Sequence, residues 1–161
     1  MSATFCNDLS TTLFVSARFG NDGSAGSSGD AISAGDEASP VKSLKKVAEL
    51  VTLTPSKNNI VLYPADDFND LVNDCGATFS RSAHLLGFNS TRQVDGTVAS
   101  GTRIACPMAS VSQEYSRAII VTGGTLTISD IEFIGAGVRV TGDGNEIILR
   151  SVTFSQMSSV V

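Results

Sequence analysis

The sequence predicts an all-β chain, a solenoid of stacked short strands with one helix at its start, and three observations carry that prediction. A turn, strand, corner and strand pattern recurs after about 21 residues in the second half, a period typical of stacked repeat units. The 161 residues include 15 Gly and many Ser and Thr but no Trp, a composition of turns and small side chains. Helical periodicity is confined to one stretch, residues 41–51. The length favours a single domain over 1–161, and 42% hydrophobic with 17% charged residues describes a folded core, not a charged tail.

In the recurrence, Leu126, Ile128, Ile131 and Phe133 superpose on Ile147, Leu149, Val152 and Phe154. Thr, Ser, Glu or Arg alternate with them, so one face of each short strand points inward. The pairs Ser129-Asp130 and Arg150-Ser151 shift the alternation, as a chain turning a corner between two sheets requires. Gly135, Gly137, Gly142 and Gly144 supply the tight turns. A hairpin meander also alternates, but successive coils account for the recurrence more economically.

Residues 1–58 divide into strand, loop and helix, with the coils occupying 59–161. Leu13, Phe14 and Val15 mark a strand over 12–17. Residues 20–37 read GNDGSAGSSGDAISAGDE, a surface loop, and Asp22, Asp30 and Asp36 within it lack the spacing of a helix-loop-helix calcium site. Ser39 and Pro40 have the chemistry of a helix start, a capping hydroxyl followed by a residue with no N–H to lose. Val41, Leu44, Val47, Ala48 and Val51 then share one face over about three turns, opposite Lys42, Lys45, Lys46 and Glu49. A solvated face explains the lysines without a polyanion partner. A short strand over 59–63 is stopped by Pro64.

Eleven Lys and Arg against 16 Asp and Glu give a net charge of -5, which leaves no footprint for nucleic acid or an anionic membrane. No apolar run approaches the ~18 residues of a membrane span. Residues 1–14 have neither the basic nor the apolar region of a secretory signal, so the compartment stays open. Cys6, Cys75 and Cys106 are widely spaced, and with one His in the chain they speak against structural zinc. They read as small buried side chains, with a Cys75–Cys106 bridge as the alternative for an extracellular protein.

The stretch 66–74, with Asp66, Asp67, Asp70 and Asp74, is the densest group of carboxylates and invites an acid–base or cation-binding role. With no Arg, Lys or His beside it in the sequence, it reads as the solvation of a loop. His84, next to Leu85 and Leu86, reads as a structural residue near the core, and Asn89-Ser90-Thr91 as an ordinary turn despite its fit to the N-glycosylation pattern. No residue is assigned a catalytic, cofactor-binding or metal-binding role.

The pattern Leu126-x-Ile128-x-x-Ile131-x-Phe133-x-Gly135 resembles the coil motif of right-handed parallel β-helix proteins of the pectin lyase-like superfamily. Upstream, Leu13-Phe14-Val15-Ser16, Gly20-Asn21-Asp22, Ser39-Pro40-Val41-Lys42-Ser43-Leu44 and Ile60-Val61-Leu62-Tyr63-Pro64 resemble the opening of many such domains. The resemblance covers almost the whole chain. It implies an N-terminal strand and a capping helix before the first coil, with another coil beginning at Leu85-Leu86-Gly87-Phe88-Asn89-Ser90. Tyr63-Pro64-Ala65-Asp66 lacks the Gly usual after that Pro, and Val160-Val161 brings no C-terminal cap. The expectation is therefore that 1–161 is the N-terminal part of a longer solenoid, or that a second chain continues the stack.

Members of that superfamily range from polysaccharide lyases and hydrolases to adhesins, polymorphic outer-membrane proteins and viral fibres, so the fold does not choose the activity. The expected function is a non-enzymatic structural or adhesin-like module, a rigid building block whose partners are protein subunits or further coils of the same solenoid. The resemblance favours a cell-surface or extracellular assembly. The alternative is the front of a carbohydrate-active enzyme, and a sugar-binding module is a third reading. In lyase-like relatives a basic residue and calcium-binding Asp residues project from neighbouring coils, whereas Asp130, Glu132, Arg139, Glu146 and Arg150 are scattered here. Glu132 aligns with Thr153 and Asp130 with Ser151, so no carboxylate pair stacks across these coils.

Overall fold

The computed structural model describes residues 9–22, 40–63, 67–88, 91–92, 98–99, 101–106 and 117–156. A 3-10 turn, Leu9–Thr11, leads into β1 (Thr12–Val15), followed by helix α1 (Leu44–Leu53). The remaining strands are β2 (Asn59–Leu62), β3 (Asp67–Phe68), β4 (Ala77–Phe79), β5 (Ala83–Leu86), β6 (Thr91–Arg92), β7 (Val98–Ala99) and β8 (Thr102–Ala105). They continue with β9 (Arg117–Val121), β10 (Thr125–Ser129), β11 (Ile131–Ile134), β12 (Gly137–Val140), β13 (Glu146–Arg150) and β14 (Thr153–Ser155).

Three open parallel sheets result: β1-β2-β5-β10-β13, then β3-β8-β11-β14, then β4-β9-β12. A separate antiparallel pair, β6 with β7, lies on the excursion between β5 and β8. From β2 onward the chain visits the first, second and third sheets in that order, then returns to the first. Parallel neighbours need long connections, and here the other two sheets are those connections. The fold is mostly β with parallel pairing, as the sequence predicts, and is compatible with a β-helix-like arrangement.

Alternation makes this arrangement stable. Every second residue points inward, and parallel register places like on like, so apolar residues form columns through the stack. In the first sheet Leu13, Ile60, Leu85, Ile128 and Leu149 are successive partners. Phe68, Ile104, Phe133 and Phe154 form the column of the second sheet, with the Phe133 and Phe154 rings stacked at 5.4 Å. The third sheet contributes Phe79, Val121 and Val140. Each fully buried member of such a column stabilises the fold by roughly 1.5–3 kcal/mol.

The corners follow the same periodicity. Asp130 and Ser151, where the chain leaves the first sheet for the second, both have positive φ, at 58° and 51°. At the next corner Gly135 and Gln156 do likewise. The expected alternation breaks are therefore left-handed residues at equivalent places. Gly137, expected in a turn, instead begins β12, and the turn glycines are Gly135, Gly142 and Gly144.

Helix α1 starts later than the sequence suggests. Ser43 is its N-cap, accepting from the Lys46 N–H, whereas Pro40 lies outside the helix and Ser39 outside the described residues. Val41 is held in a parallel bridge to Val15, so the chain stays extended until that pairing ends. Leu44, Val47, Ala48, Leu50 and Val51 are buried, and α1 lies against β4 and β1, the edge strands of the third and first sheets.

Candidate functional site

Of the carboxylates singled out in the sequence, Asp22, Asp70 and Asp74 gather at the start of α1, each accepting from backbone N–H groups, whereas Asp67 lies on the second sheet. Asp22 accepts from the Lys42 and Ser43 N–H groups at 2.7 and 3.1 Å, and from the Ser43 hydroxyl. Asp74, 4% exposed, accepts from the Leu44 N–H and the Asp70 N–H, each at 3.0 Å. Burial raises its pKa, opposed by those two hydrogen bonds. Asp70 accepts from the Val72 and Asn73 N–H groups and the Asn73 carboxamide. The Asn73 side chain, then the two backbone donors, lower its pKa. Two of the four acidic residues read as loop solvation, Asp70 and Asp74, thus build a turn and cap α1. Asp66, with Asp30, Asp36, Cys6, Asn89 and Ser90, lies outside the described residues.

Asp67 meets a partner the sequence kept 36 residues away. Arg103 Nε and Nη2 donate to its two carboxylate oxygens at 2.6 and 2.7 Å, a fork geometry that raises the Arg103 pKa. Register explains the meeting, because Asp67, Arg103, Glu132 and Thr153 are successive partners across the second sheet. The Ser155 hydroxyl donates to Glu132 at 2.7 Å. The Asp67–Arg103 pair is about two-fifths exposed on both sides, so it fixes register more than it stabilises. Sequence reading missed it because β3 and β8 belong to coils with unequal excursions.

His84 stands on the outward face of the first sheet, its Nε2 3.1 Å from the Ser129 hydroxyl. Burial, then the charge of Arg150, lowers its pKa. A Ser–His contact is one element of nucleophilic catalysis. Here the serine is 6% exposed, which suits a cross-strand bracket better than attack on a large substrate. Among the described residues no group of three His, Cys, Asp or Glu is placed to hold a metal ion, and no helix is long and apolar enough to cross a membrane.

Cys75 and Cys106 form a disulfide, with Cα atoms 5.8 Å apart and both residues buried. This corrects the reading of the two as unlinked buried side chains. Each lies just beyond the second sheet, Cys75 before β4 and Cys106 after β8, so the bond ties one coil to the next.

The most distinctive surface is an end of the stack. At one end α1 covers β4 and β1. At the other, each apolar column finishes on an exposed member: Val140 (40%) in β12, Leu149 (44%) in β13 and Phe154 (41%) in β14. Their partners one coil inward, Val121, Ile128 and Phe133, are fully buried.

No family model, curated protein or solved structure matches the chain. Side chains engaged within the stack hold its register.

Proposed function

We propose that the protein is a right-handed parallel β-helix of the pectin lyase-like type that acts as a rigid, non-catalytic building block, a structural or adhesin-like module of a larger assembly. The observation that carries this reading is that the acidic side chains are held by the fold itself, both Asp67 oxygens by Arg103, Glu132 by the Ser155 hydroxyl, and Asp22, Asp70 and Asp74 by backbone N–H groups. The same contacts fix register across the sheets, as a rigid building block requires. The Cys75–Cys106 bond fits an oxidising location such as a cell surface or extracellular fibre.

Electron microscopy of the native source material, with the protein located by antibody, tests the proposal. Ordered occupancy at fixed stoichiometry is expected. A dispersed protein that depolymerises an acidic or neutral polysaccharide would overturn it in favour of an enzyme.

A further inference from the structure

We propose that the Cys75–Cys106 bond is a redox-controlled lock on the helical cap. Oxidised, it fixes α1 over β4 and β1; reduced, it lets α1 and the turn that holds it detach together while the sheets stay folded. Residues 69–76 connect β3 to β4 and carry the groups at which α1 begins. The Asn73 carbonyl accepts from the Lys45 N–H at 2.9 Å, and Asp74 accepts from the Leu44 N–H at 3.0 Å. Both donors belong to the first turn of α1, where a helix has no internal partner for them. Cys75 is the next residue, and its sulfur is bonded to Cys106. Cys106 is anchored in its turn, its N–H donating to the Ile134 carbonyl at 3.0 Å at the end of β11. Adjoining groups thus run from the start of α1 to the second sheet, with one reducible link among them.

That link decides how the cap can open. With the bond closed, the turn is pinned to the second sheet, and α1 leaves only by giving up its hydrogen bonds to Asn73 and Asp74. With the bond open, α1 and the turn leave as one unit with those bonds intact, which is the less costly opening. The coupling is reciprocal: a docked cap holds the two thiols together, and the closed bond holds the cap docked. Closure is a thiol–disulfide exchange. One cysteine thiolate attacks a low-molecular-weight disulfide and releases a thiol, and the other attacks the resulting mixed disulfide and releases the second. Cys75 and Cys106 thereby lose two electrons and two protons, which the reagent gains, and a dithiol reverses the reaction.

The test is native-state hydrogen exchange of the Cys6→Ser chain, oxidised and reduced with dithiothreitol. In the oxidised chain the Ala48, Leu50 and Val51 amides of α1 should exchange together with those of β10 and β11. After reduction they should exchange at least about tenfold faster than β10 and β11, and with a weaker dependence on urea, as a sub-global opening does. The Cys75→Ser/Cys106→Ser chain should show the reduced pattern without reductant. Equilibration with glutathione supplies a second measurement. Asp74→Ala loosens the hold of the turn on α1 and should shift the equilibrium about fivefold toward the thiols. Gly144→Ala, in the turn between β12 and β13, should leave it unchanged. Loss of protection in step across α1, β10 and β11, or a reduced chain with no protected amides, shows a global staple and overturns the proposal. Protection of α1 that is indifferent to reduction, or an Asp74→Ala chain with an unaltered equilibrium, overturns it as well.

Discussion

Breaking the Cys75–Cys106 bond measures how strongly the coils are tied together. The bond closes a sequence separation of 31 residues. In the chain-entropy relation a loop of that length costs the reduced, unfolded ensemble nothing and the oxidised one about 12 cal/mol/K, which is about 4 kcal/mol at room temperature. For a chain of this size about 1 kcal/mol moves the melting temperature by 2–4 °C, so reduction should lower it by roughly 8–15 °C. The assay is thermal unfolding followed by circular dichroism, with and without reductant, in a Cys6→Ser background. Thiol titration of the unfolded chain should find none before reduction and two after it. The Cys75→Ser/Cys106→Ser variant should melt with the reduced protein in either buffer. A shift below about 2 °C, or two thiols found before reduction, would refute the staple.

Four further substitutions probe the brackets and the turns. Asp74→Ala removes the acceptor of a buried and a half-buried N–H group and should cost about 2 kcal/mol in urea unfolding. Because burial raises the Asp74 pKa above its unfolded value of 3.8, that deficit should be largest below pH 3.8 and shrink as the pH rises through the folded-state value. His84 shifts downward from 6.5, so its contribution is present above pH 6.5 and lost as the pH falls through the folded value; NMR titration should find the lowered pKa, and His84→Gln should flatten the slope of stability against pH there. At Gly124, φ is +74° and an added Cβ would strike the Ser82 hydroxyl and lie 2.7 Å from its backbone N, so Gly124→Ala should cost about 3 kcal/mol. Gly144→Ala, with φ +77° but open space, should cost about 1 kcal/mol in the same urea assay.

The last two coils were legible because nothing interrupts them. Thr125 pairs with Glu146 and Phe133 with Phe154 in the register that the sequence recurrence implies. Earlier coils obey the same inward alternation, yet β5 and β10 pair as Ala83 with Leu126, with the β6–β7 excursion and residues 107–116 between them. Period detection fails where connections vary in length, although the strands themselves do not. The start of α1 was misplaced for a related reason, since Ser39-Pro40 offers good local chemistry but Val41 is claimed by Val15 across the sheet. Likewise Asp67 and Arg103 are invisible as a pair until register sets them side by side.

That last case bears on function. A row of Asp67, Arg103 and Glu132 across an exposed sheet superficially resembles the carboxylate groupings of sugar-cleaving sites. Both Asp67 oxygens are held by one guanidinium, and Glu132 accepts a hydroxyl from the following coil. Asp22, Asp70 and Asp74 are likewise engaged by backbone N–H groups. A general acid or base must exchange its proton with a substrate within hydrogen-bond reach, and groups already saturated by the fold are poorly placed to do so. What the stack leaves chemically unmatched is instead apolar and directional: Val140, Leu149 and Phe154, each the terminal member of a column whose every inner member is covered.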